Sequence, residues 1–309
     1  LLEIKDLSVT FSVAHSVQAV QGVSLKVEKR KKVAIIGETG SGKSVLLLAV
    51  LRLLPATAEV KGTVLYNGAN LLKIDENDMQ TVRGAQLAYV PQGSGSSMNP
   101  LMTVGFQVGE PLMQHREFTK KQAVEKSIGL LEKFHIGNEK QRVKDYPHTF
   151  SGGMKQRALV AMGISAGAQY IFADEPTKGL DENKVKQLKE TFLALEDQAI
   201  LCVTHDLGFA KDISEYIHVM YASQQFESAP TDEVFREPLH PYMQDMINAL
   251  PENGLKVVGG FAPSHSEALS GCRYRPRCRD CSARCEIDPP MTEVYPGHKV
   301  RCWKYAHVN

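Results

Sequence analysis

The segment "VAIIGETGSGKSVLLLAVLRLL", residues 33–54, constrains this chain more than any other. A short apolar run ends in a glycine-rich stretch, and an apolar run at helical spacing follows at once. Within it, G-x-x-x-x-G-K-S spans Gly37 to Ser44. A strand, a glycine loop and a helix start in that order make a phosphate cradle. The backbone N–H groups of Gly37, Glu38, Thr39, Gly40, Ser41 and Gly42 wrap the phosphates, because the glycines put no side chain in the way. Lys43 then reaches the β- and γ-phosphates of a nucleotide, and the Ser44 hydroxyl coordinates Mg²⁺. Val45 offers no polar group, and no role is read for it.

The remaining pattern supplies the sheet such a loop requires. "LLEIKDLSVTF" and "VQAVQGVSLKVE" alternate in part, and "GTVLYNGANL" is a strand with an Asn-Gly turn, followed by the strand "QLAYVPQ". From about Val104 to Gly167 the period becomes helical, with a Thr119…Gln122 capping box. "YIFADEP", a helix from Asp181, "AILCVTHD", a short helix and "YIHVMYA" follow. Two closing helices are separated by Pro238. Apolar strands alternating with helices predict an α/β fold with a parallel sheet covered on both faces.

The ends of those strands carry the chemistry. "QYIFADEPTKGLD" closes a buried strand on two adjacent carboxylates. Asp174 is placed to hold Mg²⁺ and Glu175 to polarise the water that attacks the γ-phosphate. "AILCVTHD" presents His205 at the end of another strand, where it can sense the γ-phosphate or stand as an ordinary surface residue; sheets of this kind bind ligands at the carboxyl ends of their strands. Gln92, after "YVP", can contact Mg²⁺ or water. Phe11 can stack on adenine or belong to the core, and Cys202, inside an apolar strand, reads as an inert buried thiol. "FSGGMKQRA" is a second phosphate-like feature: Ser151 caps a helix whose first residues, Gly152 and Gly153, leave its N–H groups open to an anion.

Composition narrows the class. The 309 residues suffice for two domains, and 43% hydrophobic with 23% charged residues is a globular balance. A net charge of +1 gives no electrostatic reason to expect nucleic acid or a membrane surface as partner. No apolar run approaches the roughly 18 residues of a spanning helix, and no export signal opens the sequence as given. Five of the six cysteines fall between Cys272 and Cys302, a clustering that suggests metal before disulfides.

The order GETGSGKS, Gln92, FSGGMKQR, IFADEP, GLD and His205 resembles the ATP-binding subunit of an ABC transporter, over about Leu1 to Pro230. The resemblance implies a parallel sheet core with an antiparallel β-subdomain and a helical subdomain at about 93–167, within an ATP-binding domain of 1–235. It implies two such subunits paired head to tail, with Ser151, Gly152, Gly153 and Gln156 facing the ATP held by the partner's phosphate loop. Asp181, in "GLD", corresponds to the loop that communicates across that dimer. "PLHPYMQDMINALP" followed by "GCRYRPRC…C…GHKVRCW" resembles the extension, here 236–309, of the peptide and nickel importer branch.

That branch implies a related but different second ATPase, with a homodimer as the alternative, two membrane-spanning permease subunits and, indirectly, an extracytoplasmic solute-binding protein, with this chain peripheral on the cytoplasmic face of the membrane. Cys272, Cys278, Cys285 and Cys302 match its C-x5-C-x6-C-x16-C spacing. The resemblance implies a [4Fe–4S] cluster there, and Zn²⁺ is the alternative. Cys281 is an extra thiol that creates C-x2-C-x3-C, so which four bind stays open. Lysines in "EKRKKVAIIG", the "PQGSGSSMNP" segment and the hairpin "YASQQFESAP" depart from the family pattern, and none removes a catalytic group. The competing readings are a soluble ABC ATPase outside transport and an ATP-switched iron–sulfur regulatory module.

Overall fold

The computed structural model describes residues 1–12, 16–93, 97–256, 259–263 and 270–306, which fall into two compact units.

The first unit comprises 1–26, 33–72 and 205–309. Strand β1 (Leu2–Ser12) lies antiparallel to β4 (Ala58–Tyr66), with Phe11 opposite Ala58. Asn67 and Gly68, both at positive φ (48° and 90°), turn the chain into β5 (Ala69–Asn70), as an Asn-Gly pair favours. With β2 (Ser16–Val27), β3 (Lys32–Ile36), β9 (Tyr216–Tyr221) and β10 (Gln224–Pro230), the strand order in this unit is β5-β4-β1-β2-β10-β9-β3. β3 and β9 pair in parallel, whereas β9 and β10 form an antiparallel hairpin.

Helix α1 (Lys43–Val50) follows the glycine loop. The two closing helices expected around Pro238 are Thr231–Arg236 and Pro241–Asn248. A hairpin of β11 (Met291–Tyr295) and β12 (His298–Arg301), absent from the sequence reading, joins the sheet where β12 pairs with β10. The tail is therefore part of this unit's core. Cys272, Tyr274 and Cys285 pack with Tyr221, Phe226, Tyr242 and Met243 in one buried cluster.

The second unit comprises 27–32 and 73–204. Its sheet is β8-β7-β6, all parallel, formed by β6 (Leu87–Val90), β7 (Tyr170–Asp174) and β8 (Ala199–Thr204). Every residue of β7 and β8 is buried, the mark of parallel strands covered on both faces. The helical stretch resolves into α3 (Val104–Arg116), α4 (Lys120–Lys133), α5 (Glu139–Arg142) and α6 (Gly152–Ser165), and the helix expected from Asp181 is α7 (Glu182–Leu193). Both halves of the Thr119–Gln122 capping box are present. Helix α2 (Glu76–Val82), capped by Asp75, stands between β5 and β6, where the sequence pattern shows strand followed by strand.

Candidate nucleotide site and cysteine-rich tail

The phosphate loop is shaped by two glycines that no other residue can replace. Gly37 has φ 154°, and a Cβ there would sit 2.0 Å from the Met220 carbonyl oxygen. Gly42 has φ 96°, and its Cβ would meet the Ala19 carbonyl oxygen at 2.1 Å. Helix α1 starts immediately after Gly42, with no side chain capping it. Such a start offers backbone N–H groups to an anion. The Lys43 ammonium is buried over the loop and donates to the carbonyls of Gly37 (2.8 Å) and Glu38 (2.9 Å). Thr39 and Gly40 are exposed at its crest, Ser41 is buried, and Ser44 is half-buried one residue into the helix. Phe11 is half-buried on β1. His205 is exposed, and the next residue, Asp206, caps the helix Leu207–Ile213 by accepting the Phe209 N–H at 2.9 Å.

In the second unit, β7 delivers Asp174 and Glu175 to its carboxyl end with only 3% and 6% of each residue exposed. The Asp174 carboxylate accepts the hydroxyl of Tyr89, from β6, at 2.9 Å. Burial, followed by the adjacent Asp174 charge, pushes the Tyr89 phenol well above its ordinary value, so it stays a donor. Glu175 carries a feature invisible in sequence: φ is +45°, a left-handed conformation costly for a non-glycine residue. Its N–H donates to the Val203 carbonyl (2.8 Å) and its own carbonyl accepts from Lys178 N–H (3.1 Å). Strain held in place this way clusters at functional positions. Gln92 is exposed just beyond β6.

Ser151 is the N-cap of α6, and its Oγ accepts the Met154 N–H at 3.3 Å. Gly152 opens the helix, and Gly153 is buried against the Lys184 side chain, which would lie 3.2 Å from an added Cβ. Lys184 is also the ion-pair partner of Asp181, whose carboxylate caps α7 by accepting the Lys184 N–H at 3.0 Å. That pairing holds the Asp181 carboxyl below its ordinary range. The Ser-Gly-Gly turn and Asp181 are thereby joined through one lysine. Gln156 lies buried within α6, and its amide nitrogen has no hydrogen-bond partner among the described residues.

The tail cysteines form a neighbourhood. Burial first, then the thiols of Cys285, Cys302 and Cys278, push Cys272 up to about 12. Burial, then Cys302 and Cys285 among others, push Cys278 up to about 11. Cys302 is raised chiefly by burial, and Cys281 is exposed. Four thiols within electrostatic reach are a donor set suited to a thiophilic metal. Their arrangement does not itself form a ligand shell: among the described residues, no group of three or more His, Cys, Asp or Glu is placed to hold a metal ion. Cys202 is fully buried in β8, as expected of an inert thiol.

Comparison with known proteins identifies the family. The ABC transporter family profile matches residues 20–178, and that of the oligopeptide/dipeptide transporter C-terminal region matches 226–285. A probable peptide ABC transporter ATP-binding protein of Sinorhizobium fredii is 36% identical over 100% of this chain and 96% of its own length. The oligopeptide transport ATP-binding protein OppD of Bacillus subtilis is 35% identical over 98% of this chain and 88% of its own. Among solved structures, the ATP-binding cassette MJ0796, as a dimer bound to ADP and Pi, shares the fold with a TM-score of 0.66 at 21% identity, over 75% of this chain and 99% of that one. Among the described residues no helix is long and apolar enough to cross a membrane. The chain belongs to the ATP-binding subunits of ABC transporters, ATPases coupled to transport, and carries the C-terminal region of the oligopeptide/dipeptide branch.

Proposed function

We propose that this chain is the ATP-hydrolysing subunit of a peptide importer, docked peripherally on the cytoplasmic side of two permease subunits that a solute-binding protein supplies. The observation that carries this reading is the full-length match to relatives named for peptide transport, tail included. In the proposed cycle Lys43 and the loop N–H groups hold the phosphates, except that of Glu38, which donates to the Tyr242 hydroxyl, and Ser44, Gln92 and Asp174 hold Mg²⁺. Glu175 activates water and His205 senses the γ-phosphate, while Phe11 stacks on adenine. Ser151, Gly152, Gly153 and Gln156 face the ATP of a second, related ATPase, and Asp181 carries the signal across the pair. In this reading 1–235 is the ATP-binding domain and 236–309 an extension. Co-purification with two permease subunits, followed by ATP-dependent peptide uptake in vesicles, tests the proposal. Nickel uptake in place of peptide would replace the cargo, and a chain found only in ribosome- or DNA-bound fractions would remove the transport reading.

For the tail we propose a thiolate-bound metal group on Cys272, Cys278, Cys285 and Cys302, an iron–sulfur cluster ahead of zinc. Its support is the spacing and the electrostatic coupling of the four thiols. Arg273, Arg275, Arg277, Arg279 and Arg284 supply positive charge beside it. Anaerobic purification with iron, sulfide and zinc analysis decides the matter. Iron with matching sulfide supports the cluster, and stoichiometric zinc without sulfide would overturn it. Full occupancy in Cys285→Ser would give that place to Cys281.

A further inference from the structure

The second residue of the phosphate loop, Glu38, is held from both ends of its structure by the C-terminal region. Its backbone N–H donates to the Tyr242 hydroxyl at 2.9 Å, and Tyr242 lies on the helix Pro241–Asn248. Its carboxylate accepts from one nitrogen of Arg277, at 2.9 Å and 3.2 Å to the two oxygens. The same nitrogen donates to the Tyr221 hydroxyl at 3.2 Å, and the guanidinium lies over the Tyr221 and Tyr274 rings, 5.7 Å and 5.5 Å from their centroids. All three tyrosines are buried. The Arg277 side chain is 11% exposed and that of Glu38 36%, so this pair is partly withdrawn from solvent. Arg277 is also the residue before Cys278, so the thiol neighbourhood and the phosphate loop share one arm.

A carboxylate in a loop that must receive a triphosphate is an electrostatic liability. Left alone it repels the ligand, and a mobile side chain there blurs the orientation of the neighbouring N–H groups. A guanidinium paired to both oxygens and lying over two aromatic rings removes the first problem and limits the second. We propose that Arg277 is a positioning residue for ATP. By neutralising and anchoring Glu38 it makes the cysteine-rich tail part of the nucleotide site, although Arg277 need not touch the nucleotide. The proposal rests on the assignment of residues 37–44 as the phosphate loop.

Four variants separate this role from a merely structural one, each read as the dissociation constant of a fluorescent ATP analogue and as KM and kcat for ATP. Arg277→Ala is expected to weaken binding about tenfold, with the effect on KM rather than kcat, because an unneutralised charge now faces the phosphates. Adding Glu38→Gln to Arg277→Ala removes that charge and should restore affinity to within about threefold of the wild type, which loss of packing alone would not allow. If Arg277→Ala does not fold, Arg277→Gln with and without Glu38→Gln gives the same comparison. Unchanged affinity in the single variant, or a double variant as weak as the single, would overturn the proposal. Lys43→Ala is the control for the loop itself. If it binds like wild type, the phosphate-loop assignment fails and takes this proposal with it, whereas its loss of binding leaves the Arg277 comparison to decide.

Discussion

Tyr89 and Asp174, 85 positions apart in the chain, meet end to end: the phenol donates to a carboxylate oxygen at 2.9 Å where two parallel strands finish side by side. The partnership gives a residue that is 97% buried a donor that orients its carboxylate. Removing the donor in Tyr89→Phe should lower the unfolding free energy by about 1.5–3 kcal/mol, the range for a hydrogen bond to a charged group. It should also raise the Mg²⁺ concentration needed for half-maximal turnover. A urea midpoint and Mg²⁺ dependence identical to wild type would show that Asp174 does not rely on Tyr89.

Two buried histidines set an acid limit on the fold. His218 Nδ1 lies 2.8 Å from the Gln225 amide nitrogen, and His240 Nδ1 accepts the Tyr242 N–H at 3.0 Å. Burial lowers both to about 3, from an ordinary value near 6.5. The folded state therefore holds them neutral while the unfolded chain takes up protons below about pH 6.5. Their contribution is complete above that pH and is lost progressively as pH falls toward 3. Between pH 7.5 and 5.5 the two together should cost about 2–3 kcal/mol of stability, at roughly 1.4 kcal/mol per pH unit for each once below 6.5. His240→Asn, which keeps an acceptor for Tyr242, should remove about half of that slope. Urea unfolding at the two pH values checks it, and equal stabilities would contradict it.

The shared-site reading has its own variant. Gly152→Asp places a side chain and a negative charge at the start of α6, beside Ser151. A phosphate about 4 Å away would be repelled by on the order of 4 kcal/mol at an effective dielectric near 20. The variant should bind ATP as a monomer through its own phosphate loop and fail to form an ATP-dependent dimer with its natural partner in size-exclusion chromatography. Normal dimerisation, or lost monomer binding, would remove α6 from the partner's site.

Local signals in the sequence carried the fold a long way, for physical reasons visible in particular residues. The glycine loop, the Asn67–Gly68 turn, the Thr119–Gln122 box and the caps at Ser151 and Asp181 all act over a few residues, so their chemistry can be read in place. What escaped is non-local or backbone-borne. The hairpin of β11 and β12 exists through pairing with β10, about 70 residues earlier. The seven-residue helix at Glu76–Val82 buries only Met79 and Val82, too little to mark a period. Arg30, Ala222 and Ser223 hold positive φ (63°, 44° and 74°) in two of the segments that depart from the family pattern. The Ser223 hydroxyl fixes one of these by donating to the Gln18 carbonyl at 2.8 Å. Arg277 and Glu38 are 239 positions apart, so their pairing leaves no trace in either neighbourhood.

Glu175, buried and held at φ +45° at the end of β7, is the proposed base for ATP hydrolysis. The most direct measurement is ATP turnover of Glu175→Gln beside its ATP affinity. The amide keeps the shape and loses the proton acceptor, so the loss should be confined to the transition state. Affinity should stay near wild type while turnover falls by about two orders of magnitude or more. Turnover near the wild-type rate, with binding intact, would remove Glu175 from that role.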